Sequence, residues 1–490
     1  MLFNSIEFLL FLPIVFALYW AVTGGALRAQ TGAGTGTGTG TGALRVQNLL
    51  LLVASYVFYG WWDARFLGLI ALSTLVDYFV GLRIASANER ELGSEAPAEA
   101  RSRAARRWLF VSLAVNLGLL GYFKYANFFI ESWIDAWAAA GVTMHTSSLQ
   151  IILPVGISFY TFQTLSYSID IYRRTMPPTR DPIAFAAFVS FFPQLVAGPI
   201  ERASHLLPQI ERRRTFDAAE ATTGLRLILW GLFKKVVIAD TCALYVNDIF
   251  QGPLHQSSTS LALGLIYFGI QIYGDFSGYS DIAIGTARLF GIRLMTNFRT
   301  PYFSTSVTEF WRRWHISLST WFRDYLYFPL GGSRQGKATA IRNTFVIFTV
   351  SGLWHGANWN YVIWGFMHAL LILPRWFLPQ LPKSRWINAI RWTFTYVGIH
   401  LLWILFRNED LGKAKYYILG LLNFDHSDRH LELLVMVFGL GGLEALHQAS
   451  WWKPIWERRV ALRWSAYFLG AFAILGSWSR DPESFIYFQF

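Results

Sequence analysis

The sequence predicts an all-α integral membrane protein with roughly 10–12 transmembrane helices and additional re-entrant or amphipathic helices. Of its 490 residues, 54% are hydrophobic and 15% are charged, whereas a soluble domain carries about a quarter charged residues. The hydrophobic residues are gathered in runs, several of which approach the roughly 20 residues that cross a bilayer. Examples are "IEFLLFLPIVFALYWAV", "FLGLIALSTLVDYFVGL", "WLFVSLAVNLGLLGYF" and "WTFTYVGIHLLWILF".

Charge and cysteine content exclude several classes of protein. The net charge is +12, but the basic residues lie in short loops between apolar runs, as expected of cytoplasmic loops. We therefore expect contact with membrane lipid and no nucleic-acid partner. The single cysteine, Cys242, excludes an intrachain disulfide and a cysteine-based metal site. No His, Asp or Glu cluster has metal-ligand spacing, and no Walker motif is present, so we expect no metal and no nucleotide-driven pump.

Two polar loops orient the first helices. Residues 24–46 form a Gly/Thr low-complexity stretch that predicts a flexible loop, and residues 84–107 form an arginine-rich loop that predicts a cytoplasmic segment. Two spans separate these loops, so both can lie inside and the N-terminus outside. The first apolar segment lacks a basic flank and a small-residue cleavage site, which favours a retained span over a signal peptide. Residues 1–490 are predicted to form one membrane domain.

The stretch "FAAFVSFFPQLVAGPI" is predicted to enter the membrane and return on the same side. A full crossing would leave the arginines of the following "ERASHLLPQIERRR" outside, against the positive-inside rule. Pro193 and the Gly198–Pro199 pair break the apolar run. Such non-helical backbone is tolerated at membrane depth only where protein or water covers it.

The segment "FWRRWHISLSTWFRDYLYFPLGGSR" carries too many charges for a lipid-facing span. Helical spacing places Arg312, His315 and Ser319 on one face, which predicts an amphipathic or re-entrant helix near the cytoplasmic side. The chain then enters the membrane again, so His355 of "SGLWHGANW" is expected to lie deeper than His315.

The buried histidines have two interpretations each. His355, between Gly352 and Gly356, could take a proton from a hydroxyl or thiol, or could simply hydrogen-bond a neighbouring helix. His315 could position an anionic donor, or could belong to an interfacial belt of Trp and Arg. His368 and His400 lie within apolar helices, where a packing or hydrogen-bonding role is expected.

Further charged residues fall within apolar segments. In "YGDFSGYSDIAIGTARLFG", we expect an internal pair between Asp281 and Arg288, with a proton relay as the alternative. Gly274 and Gly278 in the same segment would let two helices approach closely. The adjacent lysines of "WGLFKKVVIAD", Lys234 and Lys235, are expected to bind lipid headgroups rather than to face a water-filled cavity.

Six long motifs resemble those of the membrane-bound O-acyltransferase family. They are "LPVGISFYTFQTLSYSIDIYR", "FFPQLVAGPIER", "YGDFSGYSDIAIG", "NFRTPYFSTSVTEFWRRWHISLSTWFRDYLYFPLGG", "SGLWHGANWNYVIWG" and the terminal "FIYFQF". The resemblance implies helices and re-entrant segments around a central tunnel. It also implies that His355 is catalytic, as general base or as transient acyl carrier, and that His315 is a second functional histidine nearer the cytoplasmic entrance.

The resemblance also implies the reaction. An acyl group would pass from a cytoplasmic thioester such as acetyl-CoA to an exported alginate-like polysaccharide. From their charge and their place before His315, we expect Arg312 and Arg313 to help bind the donor. No bound cofactor is expected, and a periplasmic partner with a serine-hydrolase-like site would complete the transfer at the bacterial inner membrane. D-alanyl transfer to teichoic acid is the alternative within the family. A polysaccharide or small-molecule transporter is the alternative from another class.

Overall fold

The computed structural model describes residues 1–32, 41–93, 102–144, 151–196, 198–377, 382, 384–408, 410–425, 434–449, 452–478 and 485–486. These residues form helices, turns and irregular connections, and no strand occurs among them. They divide into two compact units, of which the first comprises Met1–Leu227 with Ala283–Met295 and the second comprises Ile228–Ile282 with Thr296–Phe490.

The helices account for the predicted all-α class. In chain order they are α1 (Ile6–Gly32), α2 (Thr41–Gly60), α3 (Leu67–Leu92), α4 (Arg103–Leu120), α5 (Ala126–Ala139), α6 (Ile157–Tyr172), α7 (Pro182–Ser190), α8 (Phe192–Leu195), α9 (Ala203–Ile210), α10 (Ala218–Leu232), α11 (Asp240–Gln251), α12 (Ser258–Leu289), α13 (Val307–Arg313), α14 (Ile316–Phe322), α15 (Lys337–His355), α16 (Trp359–Ile372), α17 (Arg385–Arg407), α18 (Leu411–Leu421), α19 (Leu434–Gln448), α20 (Trp452–Arg458) and α21 (Val460–Ser477). π-helical turns join several of them, at Gly121–Tyr125, Phe233–Ala239 and Arg323–Tyr327.

Five helical segments in the described part of the chain are long and apolar enough to span a membrane. They are Gly42–Gly60, Ala64–Glu91, Arg103–Ala139, Arg385–Arg407 and Val460–Ser477. This is fewer than the roughly 10–12 expected from apolar runs. Two shorter apolar helices are described at Ile6–Val22 and Val437–Leu446, and α12 is interrupted by polar residues.

The ends of the two predicted loops are helical where the structure describes them. Helix α1 continues to Gly32 and α2 begins at Thr41, so both described ends of the Gly/Thr stretch are helical. Helix α3 continues to Leu92 and α4 begins at Arg103 within the arginine-rich loop. Residues 33–40 and 94–101 lie outside the described residues.

The stretch predicted to be re-entrant forms two short buried helices. Helix α7 has 9 residues and α8 has 4, whereas a span needs about 20. The chain breaks at Phe191, with φ −50° and ψ 105°, and Pro193 occupies the first turn of α8, where the missing N–H of proline costs no helical hydrogen bond. Neither helix is long enough to cross a membrane alone, and the return of the chain to the same side stays a prediction.

The "GPIER" motif anchors α9 within the first unit. The Glu201 side chain is fully buried and accepts a hydrogen bond from the backbone N–H of Met295. Its Oε2 lies 2.6 Å from Nδ1 of the half-buried His205 on α9. Because Glu201 accepts this hydrogen bond, the pKa of His205 is raised above its ordinary value.

A buried polar network joins three helices of the first unit. Asp77 on α3 accepts hydrogen bonds from Ser112 and Asn116 on α4 and from Ser168 on α6. All four side chains are buried. A carboxyl group inside an apolar bundle is stable only when its hydrogen-bonding capacity is used, so these donors fix the mutual orientation of α3, α4 and α6.

Replacing Asp77 by alanine should destabilise the first unit. Asp77→Ala leaves three buried donors without their acceptor, so we expect the free energy of unfolding to fall by about 2 kcal/mol or more. Thermal unfolding of the detergent-solubilised protein measures the change as a lower Tm. The matched control is Asp135→Ala, an exposed aspartate of the same unit, which should change stability by less than about 0.5 kcal/mol. Equal Tm values for the two variants would contradict the assigned role of the network.

Candidate active site

His315 lies at a break between two short helices rather than within one. The prediction that one helix carries Arg312, His315 and Ser319 is wrong: α13 ends at Arg313, Trp314 is extended, and α14 begins at Ile316. His315 itself has a left-handed backbone, with φ 43° and ψ 54°. The expected shared face of Arg312, His315 and Ser319 therefore does not form, because that face requires uninterrupted helical geometry.

Asn297 holds this break in place. Its backbone carbonyl accepts the N–H of Ile316 at 2.9 Å. Its side-chain Oδ1 accepts both the N–H and the Oγ–H of Ser317, at 3.3 and 2.9 Å. The first N–H groups of α14 are thus satisfied from outside the helix, which offsets the roughly 1–3 kcal/mol cost of a left-handed non-glycine residue at His315. The sequence around Asn297 carries no local signal of this role.

His355 is the last residue of α15 and faces a closely packed helix. A Cβ atom at Gly352 would collide with the carbonyl oxygen of Tyr361 on α16, and one at Gly365 would collide with that of Phe348 on α15. The two helices therefore touch backbone to backbone. Asn358 caps α16 by accepting the N–H of Asn360 at 2.9 Å. This hairpin fixes the end of α15 and hence the position of His355.

The two histidines that the sequence singled out lie side by side. The centroids of the His315 and His355 rings are 6.2 Å apart, and both residues are buried, at 0% and 3% exposure. Aromatic rings surround the pair: Phe276 lies 4.7 Å from His315, and Trp354, Trp364 and Phe406 lie 5.1, 5.2 and 5.5 Å from His355. The result is an apolar enclosure around two proton-accepting groups.

Two further buried histidines have the hydrogen-bonding roles that the sequence predicted. Nε1 of Trp311 donates to Nδ1 of His368 at 3.3 Å. Nδ1 of His400 lies 2.8 Å from the carbonyl oxygen of Tyr396, one turn earlier in α17. Both bonds tie the rings to their surroundings, which is the packing role expected of a polar side chain in an apolar helix.

The two adjacent lysines do not face lipid, so that prediction is wrong. Nζ of Lys234 lies 2.8 Å from Asp281 Oδ2, and Nζ of Lys235 lies 2.8 Å from Asp240 Oδ1 and 2.9 Å from Asp275 Oδ1. Both lysines are buried. The π-helical turn Phe233–Ala239 carries them, and buried ammonium groups require such carboxylate partners.

The expected pair between Asp281 and Arg288 is also wrong. Asp281 is engaged by Lys234, and Arg288 instead lies 3.3 Å from Glu220. The two glycines of α12 behave as predicted. A Cβ atom at Gly278 would lie 2.7 Å from the carbonyl oxygen of Gly231, and one at Gly274 would lie 3.1 Å from that of Lys234. Close helix contact brings the lysines within reach of the α12 carboxylates.

The described part of the terminal "FIYFQF" motif reaches the same cluster. Asp275 Oδ2 accepts the backbone N–H of Ile486 at 2.7 Å. The ring of Phe485 lies 5.9 Å from Phe276 and 4.6 Å from Tyr279. Since Phe276 contacts His315, the segment lies beside the enclosure. Residues 487–490 are outside the described part of the chain.

The two arginines before His315 differ in their surroundings. Arg313 pairs with Glu309 on the same helix, with 2.7 Å between Nη2 and Oε1. Arg312 is exposed, so it is the more accessible of the two cations. Within the described ranges, no group of three His, Cys, Asp or Glu residues is arranged to hold a metal ion.

The family of this helical protein follows from its similarity to known proteins. Residues 179–406 match the membrane-bound O-acyltransferase family, MBOAT. The chain is 43% identical over 416 residues to Probable alginate O-acetylase AlgI of Pseudomonas putida, covering 84% of this chain and 79% of that protein. It therefore belongs to the membrane-bound O-acyltransferase family and is a multi-pass membrane O-acyltransferase.

Other relatives carry different names. The peptidoglycan O-acetyltransferase of Helicobacter pylori is 33% identical over 412 residues, covering 77% of this chain and 74% of that protein. The teichoic acid D-alanyltransferase of Bacillus subtilis is 28% identical over 263 residues, covering 51% and 66%. Identity is thus higher to the two O-acetyl-transferring relatives than to the D-alanyl one.

Removing the Asn297 side chain should misplace His315. Asn297→Ala deletes the acceptor for Ser317, so we expect the acyl-transfer rate to fall by about 10- to 100-fold as the histidine loses its fixed geometry. Steady-state transfer in reconstituted membranes measures the change. Asn388→Ala, at an exposed position of α17, is the control and should retain the wild-type rate. Full activity of Asn297→Ala would show that His315 needs no such support.

A methyl group at Gly352 should force α15 and α16 apart. We expect Gly352→Ala to lower the free energy of unfolding by about 1–3 kcal/mol, because backbone atoms of α16 occupy the space. The control is Gly118→Ala in α4, where a Cβ atom would have no described atom within 4 Å and where stability should be unchanged or slightly raised. Thermal unfolding of both variants in the same detergent is the measurement. A Tm equal to that of wild type would refute the close contact.

Proposed function

We propose that this protein transfers an acetyl group from cytoplasmic acetyl-CoA to an exported, alginate-like polysaccharide. The observation that carries the proposal is the pair of buried rings, His315 and His355, within one aromatic enclosure. The similarity to alginate O-acetylases over most of the chain supports acetyl as the acyl group. The protein would act in the bacterial inner membrane, with donor and acceptor on opposite sides.

The chemistry of the donor explains why we place donor and acceptor on opposite sides of the membrane. An acetyl group is small and uncharged, whereas the body of acetyl-CoA carries phosphates that would be costly to bury. A central tunnel would let the thioester end reach the histidines while the phosphates stay at the cytoplasmic face. Arg312 is exposed and lies three residues before His315 in the chain, and Arg313 is already paired with Glu309. We therefore assign Arg312 the larger share of phosphate binding and Arg313 the smaller.

His355 acts as the general base in the proposed reaction. Its ring accepts the proton of an acceptor hydroxyl, the hydroxyl oxygen attacks the thioester carbonyl carbon, and the carbon–sulfur bond breaks to release the thiolate of CoA. The proton then passes to the thiolate, so the products are an O-acetyl ester and free CoA thiol. His315 positions the thioester on the donor side. The aromatic enclosure limits the water that would otherwise hydrolyse the donor.

The acceptor side requires a second protein. We propose a periplasmic partner with a serine-hydrolase-like site, which receives the acetyl group and passes it to the polysaccharide. D-alanyl transfer to teichoic acid is the competing function within the family. The lower identity and coverage of the D-alanyl-transferring relative favour acetyl transfer.

The test uses purified protein in liposomes with labelled acetyl-CoA on the donor side and partner plus alginate on the other. We expect wild type to transfer label and His355→Ala to lose about 10²-fold or more of the rate. His315→Ala should also be impaired, and Arg312→Ala should raise the KM for acetyl-CoA. The control is His255→Ala, at an exposed histidine, which should match wild type. Insertion and Tm are checked for each variant.

The same assay separates the alternatives. Label on the partner or polymer that depends on His355 supports the proposal. Wild-type transfer by His355→Ala would refute the catalytic assignment. Transfer from a D-alanyl carrier, with none from acetyl-CoA, would assign the protein to the teichoic acid function. Acid-quenched protein carrying labelled acetyl-histidine would replace the general-base role with that of an acyl carrier.

A further inference from the structure

Trp364 presents a buried hydrogen-bond donor beside His355. The residue lies on α16 and is 1% exposed, and its ring centroid is 5.2 Å from that of His355 with the planes 88° apart. Among the residues that the structure describes, its indole Nε1–H has no hydrogen-bond acceptor. Buried N–H groups are rarely left in this state, because an unused donor costs its full desolvation.

The indole is held rigidly. Trp403 stacks on it with 5.9 Å between ring centroids and 22° between planes, and Phe406 meets it at 5.1 Å. The next residue, Gly365, lies against the backbone of Phe348. Packing on the ring and on the backbone therefore fixes the direction of the N–H group, which is the property required of a preorganised donor.

A second tryptophan of the same cluster shows the ordinary arrangement. Trp311 contacts the Trp364 ring at 5.7 Å between centroids, but its own Nε1–H donates to Nδ1 of His368. Because Nδ1 of His368 accepts this hydrogen bond, the neutral imidazole carries its proton on Nε2. The lone pair of Nδ1 is therefore already used by Trp311. The Nε1–H of Trp403 also has no acceptor among the described residues. Of these two indoles, Trp364 is the one whose ring contacts His355, at 5.2 Å between centroids, whereas the N–H of Trp311 is used by the fold.

From this we infer that Trp364 is a further catalytic residue whose Nε1–H binds the developing oxyanion of the acyl group. When the acceptor oxygen attacks the thioester carbon, the carbonyl π electrons move to its oxygen and give a tetrahedral oxyanion. The indole N–H donates to that oxygen and keeps its own proton. The electrons return as the carbon–sulfur bond breaks, and the oxygen is released as an ester carbonyl. A donor in a dry site stabilises this charge far more than the ground-state carbonyl.

This inference rests on the proposed acyl transfer, and the test is designed to separate the two. In the liposome assay with labelled acetyl-CoA, Trp364→Phe keeps an aromatic ring and removes the N–H. We expect kcat to fall about 100-fold with little change in the KM for acetyl-CoA. Trp311→Phe is the matched control, since it makes the same truncation in the same cluster, and its kcat should stay within about threefold of wild type.

A second variant separates the hydrogen bond from packing. Incorporating 3-benzothienylalanine at position 364 keeps the shape of the indole and replaces its N–H by sulfur, so folding should be preserved. We expect the same loss of kcat as in Trp364→Phe. Wild-type kcat in the benzothienyl protein would overturn the role of the N–H. If instead His355→Ala transfers at the wild-type rate, it is the proposed function that fails.

Discussion

The high cost of a polar group without a partner inside an apolar, membrane-embedded bundle is the constraint on which the rest of this structure depends. Several buried charged groups described in the two units have specific partners. Asp77 is surrounded by hydroxyl and amide donors, and Lys234 and Lys235 are matched by carboxylates. These contacts orient the helices, so a small number of buried polar residues determines how the apolar helices pack.

The candidate active site is lined differently. Described aromatic rings lie around His315 and His355, and an apolar environment favours the neutral imidazole that a general base requires in our proposal. Their separation is set by two unrelated devices. Asn297 fixes the left-handed turn at His315, and the glycine contact between α15 and α16 fixes the end of the helix at His355. The site is therefore positioned by backbone geometry on both sides.

Trp311 and Trp364 illustrate how a structural tryptophan and a proposed catalytic tryptophan can lie in the same cluster. Both are buried tryptophans in the same aromatic cluster. One donates its indole N–H to His368, and the other keeps its N–H beside His355. The two residues share their type and are both buried. They differ in the partner of the indole N–H and in the contact of the Trp364 ring with His355. These two differences are the basis on which our proposal places Trp364 at the reacting atoms.

The sequence by itself determined the all-helical membrane class, the broken segment around Pro193, and the two histidines as candidates, because these depend on local composition and spacing. It did not determine the left-handed turn at His315, the partners of Lys234 and Lys235, or the place of Trp364. Asn297 binds a residue 20 positions later, and Lys234 binds Ser277 across 43 positions. Such contacts exist only once the helices have packed, so tertiary structure alone decides them.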